Sequence, residues 1–440
     1  MNQRKKVVIL TYWFPPCNLT ASQRALGFAR YLHQFGWDPV VITRNWDKPI
    51  VSAVDLSASS GTETRITQGE FYTLIELPYK ASVRDKLITS QTRFLPWKVL
   101  QKLLTFLEII FQYVSVRAVP YSNIYAYANE YLKKNKDEVH ALLVTANPWI
   151  FFRFGYLLHK KHGIPWVADY RDDWTTRSFG HWYQRGKWMH FFGRKLEGYF
   201  EKKWVQSAYA FTSVSPAWVE KISRFTHTKG YLIYNGYFPE DFSGKAFGAF
   251  DAFTFCYCGT LLDMHKVEIV CEAVIQLAKK YQSQLKIQMY FAGAGFEKSA
   301  ETRLNNLFSK NPEILRISGR ISRADAIAAQ MQSHVLVMLP YGDIIGAPSS
   351  KIFDYIATQK PVLLCPGDND IMEEMLTQTG QAIVCHSAEE AVTRMSELID
   401  TYLKDGTTGI RVNTQAIGAF RREQQVKKLS HLLAGISEQQ

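Results

Sequence analysis

Three carboxylates and one guanidinium crowd into Asp169-Tyr170-Arg171-Asp172-Asp173, directly after the apolar run Pro165-Trp166-Val167-Ala168. Charges gathered at a strand end must be solvated, paired or used. In use, Asp172 or Asp169 orients or deprotonates an acceptor hydroxyl, with Arg171 beside it. A local Asp–Arg ion pair capping the next helix is the plain alternative.

Gly346-Ala347-Pro348-Ser349-Ser350-Lys351 carries a different chemistry. Pro348 and the two serines suit a helix start, where hydroxyls and backbone N–H groups meet a phosphate, and Lys351 adds a full positive charge. Asp354 lies one helical turn on, placed for ribose hydroxyls, although a surface Lys–Asp pair has the same spacing. Around the first apolar run, Phe14-Pro15-Pro16-Cys17-Asn18 leads into a helix carrying Arg24, a second anion-binding arrangement unless it is an ordinary turn with Arg24 solvated. Smaller signals stand after later strands: Thr260 and Lys266 after Gly259, then Gly293, then Arg320 after Gly319. Glycine after a strand usually marks only a turn, but three such ends in register would line one phosphate pocket.

These groups need elements to hold them. Val7-Val8-Ile9-Leu10, Pro39 to Thr43, Ala141 to Thr145, Pro165 to Ala168 and Tyr209 to Thr212 read as buried parallel strands alternating with helices. A second series has strands at Phe253 to Tyr257, Lys286 to Phe291, Ile314 to Ser318, Val335 to Leu339 and Pro361 to Leu364. The chain of 440 residues exceeds what one core usually serves. The reading is α/β, with one Rossmann-like domain over 1–245, a second over 246–415, and a C-terminal helix in 416–440 returning toward the first. Facing sheets would place ligands in the cleft at their carboxyl ends.

A net charge of +12 predicts anionic company, either phosphorylated substrates or an anionic membrane surface. No basic run interleaved with aromatics points to nucleic acid. The six cysteines form no CxxC pairs and read as reduced core thiols. Val7 to Leu10 is too short for a signal-peptide core, which predicts a cytoplasmic protein. Val99 to Phe111 is strongly apolar but interrupted by Lys102 and Glu108, so it falls short of a membrane span. A core or domain-packing helix is the first reading of that stretch, and a helix resting on the membrane surface the second.

In combination these pieces resemble the family-4 group of GT-B glycosyltransferases, in the branch with a Phe14-Pro15-Pro16 loop and the segment Asp169-Tyr170-Arg171-Asp172-Asp173-Trp174-Thr175. Val214-Ser215-Pro216, Ile233-Tyr234-Asn235-Gly236-Tyr237, Gly259-Thr260-Leu261, Phe291-Ala292-Gly293 and Ser350-Lys351-Ile352-Phe353-Asp354 follow in the family's order. The resemblance implies a GT-B fold and sugar transfer with retention, needing no metal or other cofactor. The donor would be a UDP-, GDP- or dTDP-sugar and the acceptor a saccharide or lipid-linked saccharide, in surface polysaccharide or glycolipid synthesis; the Val99 to Phe111 stretch and the positive charge separately suggest the inner face of the membrane. The resemblance also implies that Lys266, Arg320, Thr260 and Ser349 to Lys351 hold the donor diphosphate, while Asp354 and Gly293 take the nucleoside. Pro16, Asn18 and Arg24 belong to the N-terminal loop. One departure stands out: Gly346 occupies the position of a glutamate that meets the donor sugar, leaving Asp343 or the Gly346 and Ala347 N–H groups to serve. A nucleotide-sugar-binding protein without transferase activity, or an epimerase of the same fold, is the alternative.

Overall fold

A computed structural model describes residues 4–91, 94–176, 187–244, 247–342 and 344–437. It divides into two compact units, residues 1–234 with 426–440 and residues 235–425.

The first unit is built on β1 (Lys5–Leu10), β2 (Trp37–Arg44), β3 (Arg65–Gln68), β4 (Thr73–Leu77), β5 (Val139–Ala146), β6 (Trp166–Tyr170), β7 (Ala210–Ser213) and β8 (Gly230–Leu232). The sheet runs β3-β4-β2-β1-β5-β6-β7-β8, parallel throughout except for the β3–β4 pair. Its helices are α1 (Thr20–Leu32), α2 (Val83–Thr89), α3 (Leu95–Phe111), α4 (Ser122–Lys134), α5 (Ile150–His162), α6 (Lys187–Val205) and α7 (Pro216–Thr226). The Val7 to Leu10 run is continuous because β1 lies between β2 and β5, with Val8 level with Val40 and Leu142, and is fully buried. The Ser215-Pro216 pair starts α7, with Ser215 Oγ accepting from Trp218 N–H and proline preset at the first helical position.

The second unit contains β9 (Phe253–Cys258), β10 (Ile287–Ala292), β11 (Leu315–Ile317), β12 (Val335–Met338), β13 (Val362–Leu364) and β14 (Ala382–Val384). Their order, β11-β10-β9-β12-β13-β14, is the doubly wound pattern whose direction reverses between β9 and β12. The helices are α8 (Val267–Tyr281), α9 (Lys298–Leu307), α10 (Arg323–Gln332), α11 (Lys351–Thr358), α12 (Ile371–Gln378), α13 (Ala388–Asp405) and α14 (Thr414–Ala419). A last helix, α15 (Arg422–Ser437), begins in this unit and from Val426 belongs to the first.

All six cysteines are buried and unbridged. The Val99 to Phe111 stretch is helical; of the core or domain-packing reading the core half fails, because α3 has no buried residue. Its Leu95, Val99, Leu103 and Phe106 face solvent, while Leu100, Gln101, Leu104, Thr105, Glu108, Ile109 and Ile110 are partly covered. Among the described residues, no helix is long and apolar enough to cross a membrane.

Candidate functional site

The reversal between β9 and β12 puts the loops after these two strands side by side, which is where open α/β sheets receive ligands. Gly259 ends β9 at φ +111°, a conformation that side chains rarely adopt, and its N–H donates to Ala292 O at 2.7 Å. Gly293 ends β10 at φ +93°, close enough that a Cβ there would lie 3.7 Å from Gly259 Cα. After β12 the chain reaches α11, held by the fully buried Ile352, Phe353, Tyr355 and Ile356. Tyr355 Oη accepts from Cys258 N–H at 2.9 Å, tying this helix to the end of β9.

That anchoring delivers Lys351 to the Gly259 turn. Its Nζ donates to Tyr257 Oη at 2.7 Å and lies 3.9 Å from the centre of that ring. A Cβ on Gly259 would come within 3.5 Å of the same ammonium. Burial pushes the lysine pKa down to about 8, against a small opposing pull from Cys258. Tyr257 Oη donates to Thr260 O at 2.8 Å and lies 3.2 Å from His265 Nδ1, which also accepts from Leu262 N–H at 3.1 Å. With Nδ1 accepting, the ring proton belongs on Nε2, a buried atom without a partner. Burial, then Lys351 and Arg303, push the His265 pKa down to about 4, so the ring is neutral at ordinary pH. The result is a cation, a phenol and a neutral imidazole beside two glycine turns, an arrangement able to receive an anion while little side-chain bulk intervenes.

Ser349 is buried, Ser350 caps α11 through its backbone alone, and Ile352 N–H turns back to Ser349 O at 3.0 Å. Thr260, next to Gly259, and Lys266, at the start of α8, are exposed, and the Arg320 guanidinium lies 5.4 Å from the Phe296 ring. Asp354 faces Arg323 in a two-pronged pair at 3.1 and 3.2 Å, and Arg323 also holds Asp241 at 2.7 Å. Its carboxylate therefore starts from a bound state, where the sequence suggested an open one. Gly293 N–H donates to Ser318 Oγ at 3.1 Å.

Gly346 brings a correction. Its N–H does not stand open toward a ligand, because Asp370, from the start of α12, accepts from it. This carboxylate comes from a segment to which no sequence spacing pointed. Ala347 is buried next to it, and Asp343 lies outside the described residues.

In the first unit Arg24 is not a solvated cation at a helix start. It is 1% exposed, with Nε 3.0 Å and NH2 2.7 Å from Asp169 and NH1 donating to Ile233 O at 2.9 Å. Thr212 also donates to Asp169, so this fully buried carboxylate is committed to structure rather than open to an acceptor. Asp172 keeps a 38% exposed side chain paired to Arg171 at 2.8 Å, leaving it the more accessible carboxylate of the two. Asn18 Oδ1 accepts from Ile50 N–H at 3.0 Å, and Pro16 is exposed. Among the described residues no group of three or more His, Cys, Asp or Glu is placed to hold a metal ion.

No family model and no curated protein matches the chain. Solved structures do. Sucrose-phosphate synthase from Thermosynechococcus elongatus superposes with a TM-score of 0.62 at 12% identity, over 99% of this chain and 100% of the other. The trehalose 6-phosphate synthase of Burkholderia multivorans gives 0.60 at 10% identity, covering 99% of each chain. Anabaena HepE, solved in complex with UDP and glucose, gives 0.56 at 10% identity over 98% and 100%. Two successive doubly wound parallel sheets, matched over their whole length by these enzymes, give the chain the GT-B glycosyltransferase fold.

Proposed function

We propose that the chain is a glycosyltransferase that moves a sugar from a nucleotide-diphosphate-sugar donor to a saccharide or lipid-linked saccharide. Transfer proceeds with retention and without a metal, in the synthesis of a surface polysaccharide or glycolipid. The observation that carries this reading is the Lys351 ammonium, held against Tyr257 and the Gly259 turn where the second sheet reverses. A donor diphosphate there meets a cation that desolvation has made costly and that the anion would relieve. As the leaving nucleoside diphosphate gains charge, Lys351, the α11 start at Ser349 and Ser350, and Lys266 and Arg320 at the rim stabilise it. Thr260 lies at the same turn. Gly293 leaves room for the nucleoside, and Asp354 reaches the ribose by sharing Arg323. Asp370, beside Gly346 and Ala347, faces the donor sugar in place of the missing glutamate. Asp172, steadied by Arg171, positions the acceptor hydroxyl, and Asp169 acts through Arg24 by fixing the strand ends below it.

The test is binding and turnover of UDP-, GDP- and dTDP-sugars by the purified protein, with Lys351→Ala beside it. Loss of a charge-assisted contact predicts binding about tenfold to a hundredfold weaker in the variant. Failure of every nucleotide sugar to bind or turn over would remove the reading.

A second reading has its own support. A putative UDP-N-acetylglucosamine 2-epimerase from Listeria monocytogenes superposes with a TM-score of 0.52 at 10% identity. Product analysis without added acceptor separates the two, since an epimerase returns an isomerised nucleotide sugar. Association with the inner membrane surface belongs to the leading reading and is supported by the outward apolar face of α3 and the +12 charge.

A further inference from the structure

Helix α3 leaves a row of large apolar side chains in solvent, although Leu100, Leu104, Ile109 and Ile110 on its other side are partly covered. Leu95, Val99, Leu103 and Phe106 recur at intervals of four, four and three, forming one stripe that is 41–70% exposed. The opposite side carries Thr105 and Glu108, and it lines a pocket of about 800 Å³. The other wall comes from the ends of β5 and β6, with Trp149 and Trp174, and from Glu197 on α6. Every lining residue belongs to the first unit.

The pocket's chemistry narrows its occupant. Of its charged side chains, Arg84 and Lys102 are balanced by Glu108 and Glu197, and Arg84 is already paired to Glu108 at 2.8 Å and Asp85 at 2.6 Å. A polyanion would find no surplus of positive charge. Burial, partly offset by Arg84, pushes the Glu108 pKa up to about 7. Trp149 and Trp174 are stacked at 5.2 Å and 3°, are at least 93% buried, and have indole N–H groups without partners. Carboxyls that bind hydroxyls, and unused N–H donors in an aromatic wall, suit an uncharged, hydroxyl-rich ring. The volume falls within the roughly 300–1,000 Å³ of ordinary ligand pockets.

We infer that this pocket receives the sugar head of a glycolipid whose apolar tail lies along the outward stripe of α3. One helix supplies both surfaces, and Lys102, exposed and at the pocket lip, marks the boundary between them. The inference rests on the glycosyltransferase reading and names its acceptor class.

Tryptophan fluorescence of the full chain is titrated with octyl glycosides below their micelle concentrations and with the matching methyl glycosides. The octyl member of at least one pair binds about tenfold tighter or more, a difference of about 1.4 kcal/mol. Leu103→Ser with Phe106→Ser, both solvent-facing, brings the octyl compound to the methyl level and leaves the methyl compound unchanged. Glu108→Gln and Trp149→Phe weaken both members alike, with thermal melts confirming that each variant is folded. Equal affinity within every pair, no binding at all, or octyl binding indifferent to Glu108→Gln and Trp149→Phe overturns the inference. UDP titration of the same preparations separates the outcomes: nucleotide binding without glycoside binding removes this inference alone, and loss of both removes the transferase reading beneath it.

Discussion

Lys351 is a cation whose surroundings favour its neutral form, and the consequences for stability and for binding run in opposite directions. Its folded pKa of about 8 lies below the unfolded value of 10.5, so between these values the unfolded chain binds more protons. The cost of burying the charge is fully present below pH 8 and fades as pH rises to 10.5, which makes this residue's contribution to stability rise with pH there. Anion binding needs the protonated form, so UDP affinity should be flat below pH 7.5 and fall about tenfold per unit above pH 8. Isothermal titration across that range checks this, and Lys351→Ala should flatten the profile. The Arg24–Asp169 pair makes a different demand: both partners are at most 1% exposed, and removing one strands the other. Arg24→Met should cost about 3–5 kcal/mol in urea unfolding, and adding Asp169→Leu should recover much of it. The place of Lys351 at a helix start was visible in the sequence because a Pro-Ser-Ser-Lys start is local. The partner of Arg24 lies 145 residues away, and Asp370 lies 24 residues from Gly346, separations that no short-range spacing encodes.

The joint between β6 and α6 carries its own titration. Glu201 on α6 is fully buried, accepting from Tyr170 Oη at 2.9 Å and also from Thr175. Burial pushes its pKa up to about 8, although both hydroxyls pull it back. A carboxyl with its folded pKa raised retains protons that the unfolded chain has lost, so stability falls as pH rises from 4.5 to about 8. Glu201→Gln should remove that slope in denaturation midpoints measured from pH 5 to 8; a variant as pH-sensitive as the parent would show that the residue titrates normally. Of the elements themselves, the central strands were legible because parallel strands covered on both faces are unbroken apolar runs. Strands β3, β4, β8 and β14 were not. The first is exposed along its whole length, β4 is interrupted by the charged Glu76, and the other two have three residues each, all of them half-buried. The orientation of α3 was hidden for another reason: periodicity shows that a helix has two faces, but not which one the rest of the fold will cover.

Over the full chain, the twin α/β series could be read from alternating apolar runs, whereas the crossings between units leave no compositional mark. They fall at 234/235 and 425/426, where Asn235-Gly236-Tyr237 lies against Phe420 to Arg422. Gly236, at φ +67°, leaves no room for a Cβ, which would meet Phe420 O at 2.8 Å, and Arg422 N–H donates to Tyr237 O at 2.8 Å. The charge of +12 and the apolar stripe of α3 act together only on a surface offering both anionic headgroups and hydrocarbon. Each Lys or Arg near an anionic leaflet contributes about 1 kcal/mol, which salt screens, while side chains of α3 that entered the bilayer would add a share that salt does not weaken. Co-sedimentation at low salt should therefore be strong with anionic vesicles and weak with neutral ones, and fall only in part at about 0.5 M salt. Leu103→Ser with Phe106→Ser should abolish the salt-resistant fraction and leave most of the low-salt binding, because the charges remain. Binding that salt removes completely in the parent chain would mean that the stripe never enters the bilayer, and α3 would then need another partner to cover it.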